Sequence, residues 1–146
     1  MDGNAAVARS AIETACAGQL ERIPEFYDPD FVDHVNGMVF VGHAGARESV
    51  SFYRSIFPDL RFEVDDQVTE GDRVATRWRL FGTYRRRRVT LDGIVISRFH
   101  DGRIVEDHGV TDSLAFLRAL GPLRVLALLT DIARGRVRLP RGAIRA

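Results

Sequence analysis

Apolar residues in the first third of the chain recur at the spacing of amphipathic helices. Three segments follow this period, residues 4–17, residues 20–27 and residues 42–57. The turn signal Asp28-Pro29-Asp30 separates the second segment from residues 31–36, which we expect to be extended. The pattern therefore predicts three helices with one short extended segment between them.

From residue 61 the period changes to strict alternation, which is typical of half-buried strands. We expect strands at residues 61–65, 74–80, 89–99 and 104–110, with the third interrupted at Gly93. Asp112 and Ser113 then open a helix with a leucine stripe, and Gly121-Pro122 is expected to close it. Helices followed by a meander of strands indicate an α+β fold with an antiparallel sheet covered on one side.

The chain is long enough for one domain, with 146 residues of which 45% are hydrophobic. We expect residues 1–121 to form its body. Residues 122–146 are expected to add a C-terminal helix and a basic tail to the same domain, mobile from residue 134. Residues 113–146 carry seven arginines and one acid, whereas acids outnumber arginines in the body.

Every one of the 21 basic residues is arginine. Schiff-base catalysis and P-loop nucleotide hydrolysis both require a lysine, and both are excluded. The acidic body argues against nucleic acid as a partner. The run Arg85–Arg88 is expected to be a solvated hairpin tip or a docking point for an anionic partner.

Cys16 is the single cysteine, and His34, His43, His100 and His108 show no metal-ligand spacing along the chain. We therefore expect no disulfide and no metal site. No dinucleotide fingerprint follows a strand, and no cofactor is expected. The N-terminus lacks the pattern of a signal peptide, and we find no run of 18 apolar residues, so a cytoplasmic protein without membrane contact is expected.

Six short motifs occur along the chain in a characteristic order. They are Phe26-Tyr27-Asp28-Pro29-Asp30-Phe31-Val32-Asp33-His34, Phe57-Pro58-Asp59-Leu60-Arg61, Glu70-Gly71-Asp72-Arg73-Val74-Ala75, Phe81-Gly82-Thr83-Tyr84, Phe99-His100-Asp101-Gly102-Arg103-Ile104-Val105-Glu106-Asp107-His108 and Asp112-Ser113-Leu114. Together they resemble the SnoaL-like polyketide cyclase family of the nuclear transport factor 2-like superfamily, which includes ketosteroid isomerase. The resemblance covers about residues 5–121.

The resemblance implies a cone-shaped curved sheet wrapped around a pocket, closed by the N-terminal helices, in a homodimer. It also implies a small apolar polycyclic or polyketide ligand, and an acid/base role for the acidic residue at Asp112. The chain departs from the family pattern at His108, where tryptophan is common, and at Arg85–Arg88, which replace a longer loop. An acyl carrier protein is the anionic partner that this family context suggests for the arginine run.

Strand alternation predicts that one face carries Ile104, Glu106, His108, Val110 and Asp112, and that the other carries Val105, Asp107 and Gly109. An apolar cavity would raise the pKa of Asp112 and allow it to move protons near neutral pH. Asp112 is equally well placed to cap the helix that begins at Ser113. Both roles remain open at this stage.

The remaining candidate site residues follow from this arrangement. His108 and His34 are candidate catalytic or substrate-contacting groups, whereas His43 and His100 are expected in exposed turns. Arg77 alternates with Trp78, so only one of them can face the pocket. Candidate substrate-binding residues are Phe26, Tyr53, Phe57, Trp78, Arg77 and Val110.

These features predict a cofactor-independent enzyme of secondary metabolism that closes a ring by an intramolecular aldol reaction or moves a proton in an isomerisation. Two alternatives stay open. One is an epoxide hydrolase or isomerase of the same fold, for which Arg77 would lie between Asp107 and Asp112. The other is a non-catalytic module that binds a small molecule, since this superfamily supports many functions.

Overall fold

The computed structural model describes residues 3–140, which form four α-helices and six strands. In chain order these are α1 (Gly3–Cys16), a 3-10 turn (Leu20–Arg22), α2 (Ile23–Phe26), β1 (Tyr27–Val35), β2 (Met38–Val41), α3 (Gly42–Ile56), β3 (Arg61–Glu70), β4 (Arg73–Tyr84), β5 (Arg87–His100), β6 (Arg103–Thr111) and α4 (Ser113–Ala133). The α+β class is confirmed. The short strand β2 was not predicted, and β1 begins before the expected turn at residues 28–30.

All six strands belong to one curved sheet with the order β2-β1-β6-β5-β4-β3. Neighbouring strands are antiparallel except for β1 and β6, which run parallel. The expectation of a purely antiparallel sheet was therefore wrong at this pair. The parallel pairing places β1 beside β6, as the second and third strands of this order.

The concave face of the sheet carries the core. Along β4 the predicted alternation is confirmed, because Val74, Thr76, Trp78 and Leu80 are buried. Helices α1 and α3 lie against this face and contribute side chains to the space beneath them. The N-terminal helices thus close the concave side, as the resemblance implied.

Helix α4 is kinked where the sequence predicted its end. Gly121 has a φ of 72°, and Pro122 follows it, so the helical hydrogen bonding is interrupted before the helix resumes. By length and composition, the segment Ser113–Ala133 is the one helix of residues 3–140 that could cross a membrane. Arg118 and Arg124 interrupt this segment, so it is not the unbroken apolar run that the sequence lacks, and the expectation of no membrane contact stays a prediction.

The second half of α4 is fastened to the β4–β5 turn through Asp131. Its carboxylate accepts hydrogen bonds from the Tyr84 hydroxyl at 2.7 Å and from the Arg85 guanidinium at 2.9 Å. Arg87 donates to the carbonyl of Ala119 at 2.9 Å. Residues 85–88 are exposed at the hairpin turn, as expected, and two of these arginines also hold the C-terminal helix.

The chain after α4 also contributes to the core. The amide of Arg136 donates to the carbonyl of Asp131 at 2.8 Å, and Val137 is only 4% exposed. The prediction of a mobile tail from residue 134 was wrong for residues 134–137. Residues 141–146, which the same prediction included, lie outside the described residues.

Candidate active site

A cavity of about 140 Å³ lies between the concave face of the sheet and helices α1 and α3. Its wall is mostly apolar, with two carboxyl groups among the side chains. The lining residues are Ile12, Ala15, Cys16, Tyr27, Asp33, Val35, Ser49, Val50, Tyr53, Leu60, Phe62, Trp78, Val95, Asp107 and Gly109.

The two carboxyl groups belong to Asp33 of β1 and Asp107 of β6, which are direct partners in the parallel pair. Two residues further along, Val35 and Gly109 are partners too and face the same cavity. Because neighbouring strands lie about 4.8 Å apart, this register sets the two carboxyl groups side by side.

A bulge in β6 brings Asp107 to this face. Phe99 of β5 pairs with Ile104, but the preceding residue Arg98 pairs with Glu106, so Val105 is the extra residue. Ile104 and Asp107 consequently both point inward and are buried. Glu106, His108 and Val110 lie on the face opposite Asp107, as alternation predicts, but that face is the outer one. The placement of Ile104 with them was wrong, and so was the expectation that His108, Val110 and Asp112 face the cavity.

Burial and mutual repulsion change the acidity of both carboxyl groups. Removal from water, followed by the charge of Asp33, raises the pKa of Asp107 to about 8, although a hydrogen bond from Ser97 opposes the rise. Burial raises the pKa of Asp33 to about 6, opposed by a hydrogen bond from Ser49 and by the charge of His108. The pair therefore holds one proton between about pH 6 and pH 8.

One oxygen of Asp107 is left open to the cavity. Its Oδ1 atom is buried and has no hydrogen-bond partner within residues 3–140. An unpaired buried polar atom costs free energy, and such atoms are concentrated at functional sites. A hydrogen-bonding group of a bound molecule would satisfy it.

Two tyrosines add polar groups to the apolar wall. Burial, with the nearby charges of Asp107 and Asp33, raises the pKa of Tyr27 well above its usual value, so its phenol stays protonated. Burial also raises the pKa of Tyr53, whose hydroxyl accepts a hydrogen bond from Asn36 at 3.2 Å. Both phenols can donate to a ligand oxygen without carrying charge.

Cys16 of α1 forms part of the same wall. Its sulfur accepts a hydrogen bond from the amide of Phe62 at 2.8 Å, and burial raises the pKa of the thiol. A neutral thiol is a weak nucleophile. The residue therefore serves the wall as a small, nearly apolar side chain.

The structure places only two of the candidate site residues at the cavity. Tyr53 and Trp78 line it, and the Trp78 ring packs edge-on against Phe62 with 4.9 Å between centroids. Phe26 and Phe57 lie in the hydrophobic core and do not line the cavity.

The other candidates lie away from the cavity. Asp112 caps α4, because its Oδ1 accepts a hydrogen bond from the amide of Ala115 at 2.8 Å. Arg77 pairs with Asp65 and Asp66 outside the cavity. The arrangement expected for an epoxide hydrolase, with Arg77 between Asp107 and Asp112, is therefore not formed.

Three further candidates are on the convex face of the sheet. Val110 is 59% exposed there. His34 and His108 stack on each other with 4.5 Å between ring centroids, beside Glu106. Within residues 3–140, the group of side chains that could hold a metal ion consists of His34, Glu106 and His108.

Asp33 was missed as a candidate, and Asp107 was considered only for the alternative of an epoxide hydrolase. For Asp33 a signal existed, because Phe31, Asp33 and Val35 alternate with His34, so a histidine on one face requires the aspartate on the other. For Asp107 alternation correctly predicts the face opposite His108, but it does not show that Asp107 shares the inner face with Ile104, because the bulge at Val105 depends on pairing with β5.

Comparison with known proteins agrees with this architecture. The family model described as SnoaL-like polyketide cyclase matches residues 5–120. No curated protein sequence is significantly similar to the chain.

Solved structures show the same fold. Wild-type IdmH from Streptomyces antibioticus, a candidate polyketide cyclase, is 28% identical with a TM-score of 0.75, covering 82% of this chain and 99% of its own. A candidate polyketide cyclase from Bacillus cereus is 27% identical with a TM-score of 0.74, covering 82% and 80%. AclR from Streptomyces galilaeus, a candidate hydroxylase, is 25% identical with a TM-score of 0.69, covering 90% and 92%.

The relatives thus share a fold with a concave sheet and differ in the reactions their names suggest. The family match covers all six strands and the helices that close the cavity, except the first two residues of α1. The chain therefore belongs to the SnoaL-like polyketide cyclase family.

Proposed function

We propose that this protein is a cofactor-independent acid–base enzyme of secondary metabolism that closes a ring in a polyketide-derived ketone by an intramolecular aldol reaction. The observation that carries the proposal is the pair Asp33 and Asp107, two neighbouring carboxyl groups in a largely apolar cavity. Near neutral pH such a pair offers one base and one acid at the same place.

In the proposed reaction Asp33 is the base and Asp107 is the acid. The Asp33 carboxylate removes a proton from the carbon between two carbonyl groups of the substrate. The resulting enolate attacks a second carbonyl carbon of the same molecule, a carbon–carbon bond forms, and the oxygen of the attacked carbonyl takes the proton of Asp107. One proton has then left carbon and one has reached oxygen, so a final transfer between the two carboxyl groups restores the starting state.

The wall supports this chemistry in two ways. Its apolar side chains, among them Phe62, Trp78 and Val95, exclude water and hold the substrate folded. The protonated phenol of Tyr27 lies close enough to Asp33 and Asp107 to feel both charges. It is the neutral donor best placed to stabilise an enolate oxygen.

The cavity volume limits which part of the substrate can enter. A cavity of about 150 Å³ is enough for benzene, and the cavity here measures about 140 Å³. We therefore expect the reacting end of the substrate, about one ring in size, to bind between the sheet and the helices, while the rest of a polycyclic ligand extends toward the opening.

The decisive experiment follows proton transfer directly. Deuterium exchange at the α-carbons of 2-tetralone, a small bicyclic ketone, is measured by NMR in deuterated buffer at pH 7. We expect the protein to accelerate exchange and Asp107→Asn or Asp33→Asn to reduce the acceleration about 100-fold or more, the usual effect of removing a general acid or base. The matched control Asp112→Asn keeps a capping residue and should remain within about twofold of wild type.

Other outcomes would reject the proposal. Binding of 2-tetralone without any exchange would support a non-catalytic binding module. Loss of exchange in Asp112→Asn with full activity in Asp107→Asn would return the acid/base role to the helix cap. A two-state unfolding curve for each variant ensures that loss of exchange is not loss of fold.

We also propose a cellular location, an oligomeric state and a protein partner for the enzyme. We place it in the cytoplasm as a homodimer. An acyl carrier protein could deliver the substrate through charge complementarity with Arg86 and Arg88, since Arg85 and Arg87 already hold α4.

A further inference from the structure

The convex face of the sheet carries a second cluster of chemically active side chains, on the opposite side of β1 and β6 from the cavity. His34 and His108 are register partners in the parallel pair, as Asp33 and Asp107 are on the inside. Their rings are nearly parallel, with 8° between the planes and 4.5 Å between the centroids. Glu106 precedes His108 by two residues and reaches the same side.

The ligand atoms of these three side chains converge. The Oε1 atom of Glu106 lies 3.4 Å from Nε2 of His108 and 3.7 Å from Nε2 of His34. One ligand atom from each side chain falls within 4.8 Å of the others. Zinc–nitrogen and zinc–oxygen bonds of about 2.1 Å place tetrahedral ligands about 3.4 Å apart. The spacing of the ligand atoms is therefore close to that of a tetrahedral site, and rotation of the stacked imidazoles about their side-chain bonds would point both nitrogens at one ion.

Arg98 of β5 fixes the carboxylate in this position. Its Nε donates to Oε2 of Glu106 at 3.0 Å, which leaves Oε1 directed at the two imidazoles. Partners of this kind orient metal ligands in known sites.

We propose that His34, Glu106 and His108 form a binding site for a divalent transition metal ion of the zinc type, with water completing the coordination. Two imidazoles and one carboxylate favour zinc, nickel, copper or cobalt over magnesium or calcium, which prefer oxygen ligands. The side chains are partly exposed, so an ion can enter from solvent without a change in fold. The positive charge of Arg98 makes the affinity moderate.

This proposal departs from the expectation of no metal site, which rested on the spacing of histidines along the chain. The two histidines are far apart in sequence and meet only because β1 and β6 are paired. The site lies outside the cavity and does not depend on the proposed function.

The test is metal titration of tag-free protein. Zinc binding is measured by calorimetry, and cobalt binding by its visible absorption, whose intensity distinguishes tetrahedral from octahedral coordination. We expect His34→Ala and His108→Ala each to weaken binding at least tenfold. The matched control His100→Ala removes an exposed histidine that also lies near a carboxylate, at 3.5 Å from Asp101, and should bind as wild type does within twofold.

Either of two results would overturn the proposal. They are the absence of zinc binding up to 1 mM, and equal binding by wild type, His34→Ala and His108→Ala. Unfolding curves of the metal-free variants exclude loss of fold as the cause. The stoichiometry of the same titration distinguishes an ion held by one chain, which gives one ion per chain, from an ion shared by two, which gives one ion per two chains.

Discussion

The buried carboxyl group of Asp107 ties the stability of the protein to pH. Its side chain is protonated in the folded state up to about pH 8, whereas an unfolded aspartate loses its proton near pH 4. Between these values the folded state binds more protons than the unfolded state. The free energy of unfolding must therefore fall as the pH rises through this window, by up to about 1.4 kcal/mol per pH unit.

We predict that Asp107→Asn removes most of this dependence. Asparagine has nearly the same shape and stays neutral, so the variant should become increasingly more stable than wild type from pH 5 to pH 8. Urea unfolding at a series of pH values measures the difference. Asp33 has a raised pKa too, about 6, and contributes a smaller fall between about pH 4 and pH 6 in both proteins.

The control for this prediction is Asp112→Asn, which removes a carboxylate outside the cavity. Its stability should differ from wild type by a nearly constant amount across the same pH range. A constant difference for Asp107→Asn as well would show that Asp107 is ionised in the folded protein and would contradict the acid role proposed for it.

Sequence alone indicated how side chains divide between the two faces of a strand, but not which face lines the cavity. Alternation along β1 places Asp33 opposite His34. Alternation along β6 holds from Glu106 to Val110 and fails only beside Ile104, where the bulge at Val105 adds a residue. The bulge follows from pairing between two strands, so no pattern within β6 reveals that Asp107 shares a face with the apolar Ile104.

At the scale of elements, β4 and β5 depend on a glycine that the sequence pattern marked as an interruption. Gly93 is the register partner of Trp78, and the indole ring of Trp78 lies directly over it. The strand β5 continues through Gly93 without a break. The missing side chain is what allows Trp78 to form the cavity wall.

We predict that Gly93→Ala destabilises the protein by about 1–3 kcal/mol, since the added methyl group would collide with the Trp78 ring. Trp78 is the single tryptophan of the chain, so its fluorescence reports the displacement directly. A shift of the emission maximum should accompany the loss of stability.

Gly109→Ala is the matched control. Gly109 also faces the cavity from a central strand, but an added methyl group there would meet Val35 at an ordinary contact distance of 3.5 Å. Its emission maximum should stay at the wild-type position. If Gly93→Ala changed neither stability nor fluorescence, the close packing of Trp78 on β5 would be wrong.

The helices and the four long strands were predictable because each has a strong local period. The C-terminal region was less predictable from its local sequence. Gly121-Pro122 is a helix-ending signal, yet the structure uses it as a kink, because Asp131 and Val137 hold the continuing chain against the body. Contacts of this kind join distant segments and leave no mark on local periodicity.

At the scale of the whole molecule, the convex face of the sheet is unusually apolar for a surface in contact with water. Ile94, Ile96 and Val110 are at least 41% exposed, and the first and last of these are register partners on β5 and β6. Adjacent exposed branched side chains of this kind are typical of protein interfaces. This face is the one we expect to be covered in the proposed homodimer.

We predict that Ile96→Arg converts the dimer to a monomer, because it places a charge at the centre of the apolar face. Sedimentation velocity or light scattering gives the mass. The control Leu126→Arg makes the same chemical change on α4, where Leu126 is 64% exposed, and should leave the dimer intact. Dissociation by Leu126→Arg alone would move the interface to α4.

The pairing of β1 with β6 also has a consequence for biosynthesis. Asp33 leaves the ribosome early, but its neighbour Asp107 is made only when synthesis of the sheet is nearly complete. Until then β1 has a single partner, the short strand β2, and the cavity wall lacks the residues that β6 contributes. Contacts between distant segments form slowly because closing a long loop costs entropy. The emerging chain therefore cannot form its acid–base pair until β6 has been made, and a product truncated before β6 would lack both the site and the strand that joins β1 to β5.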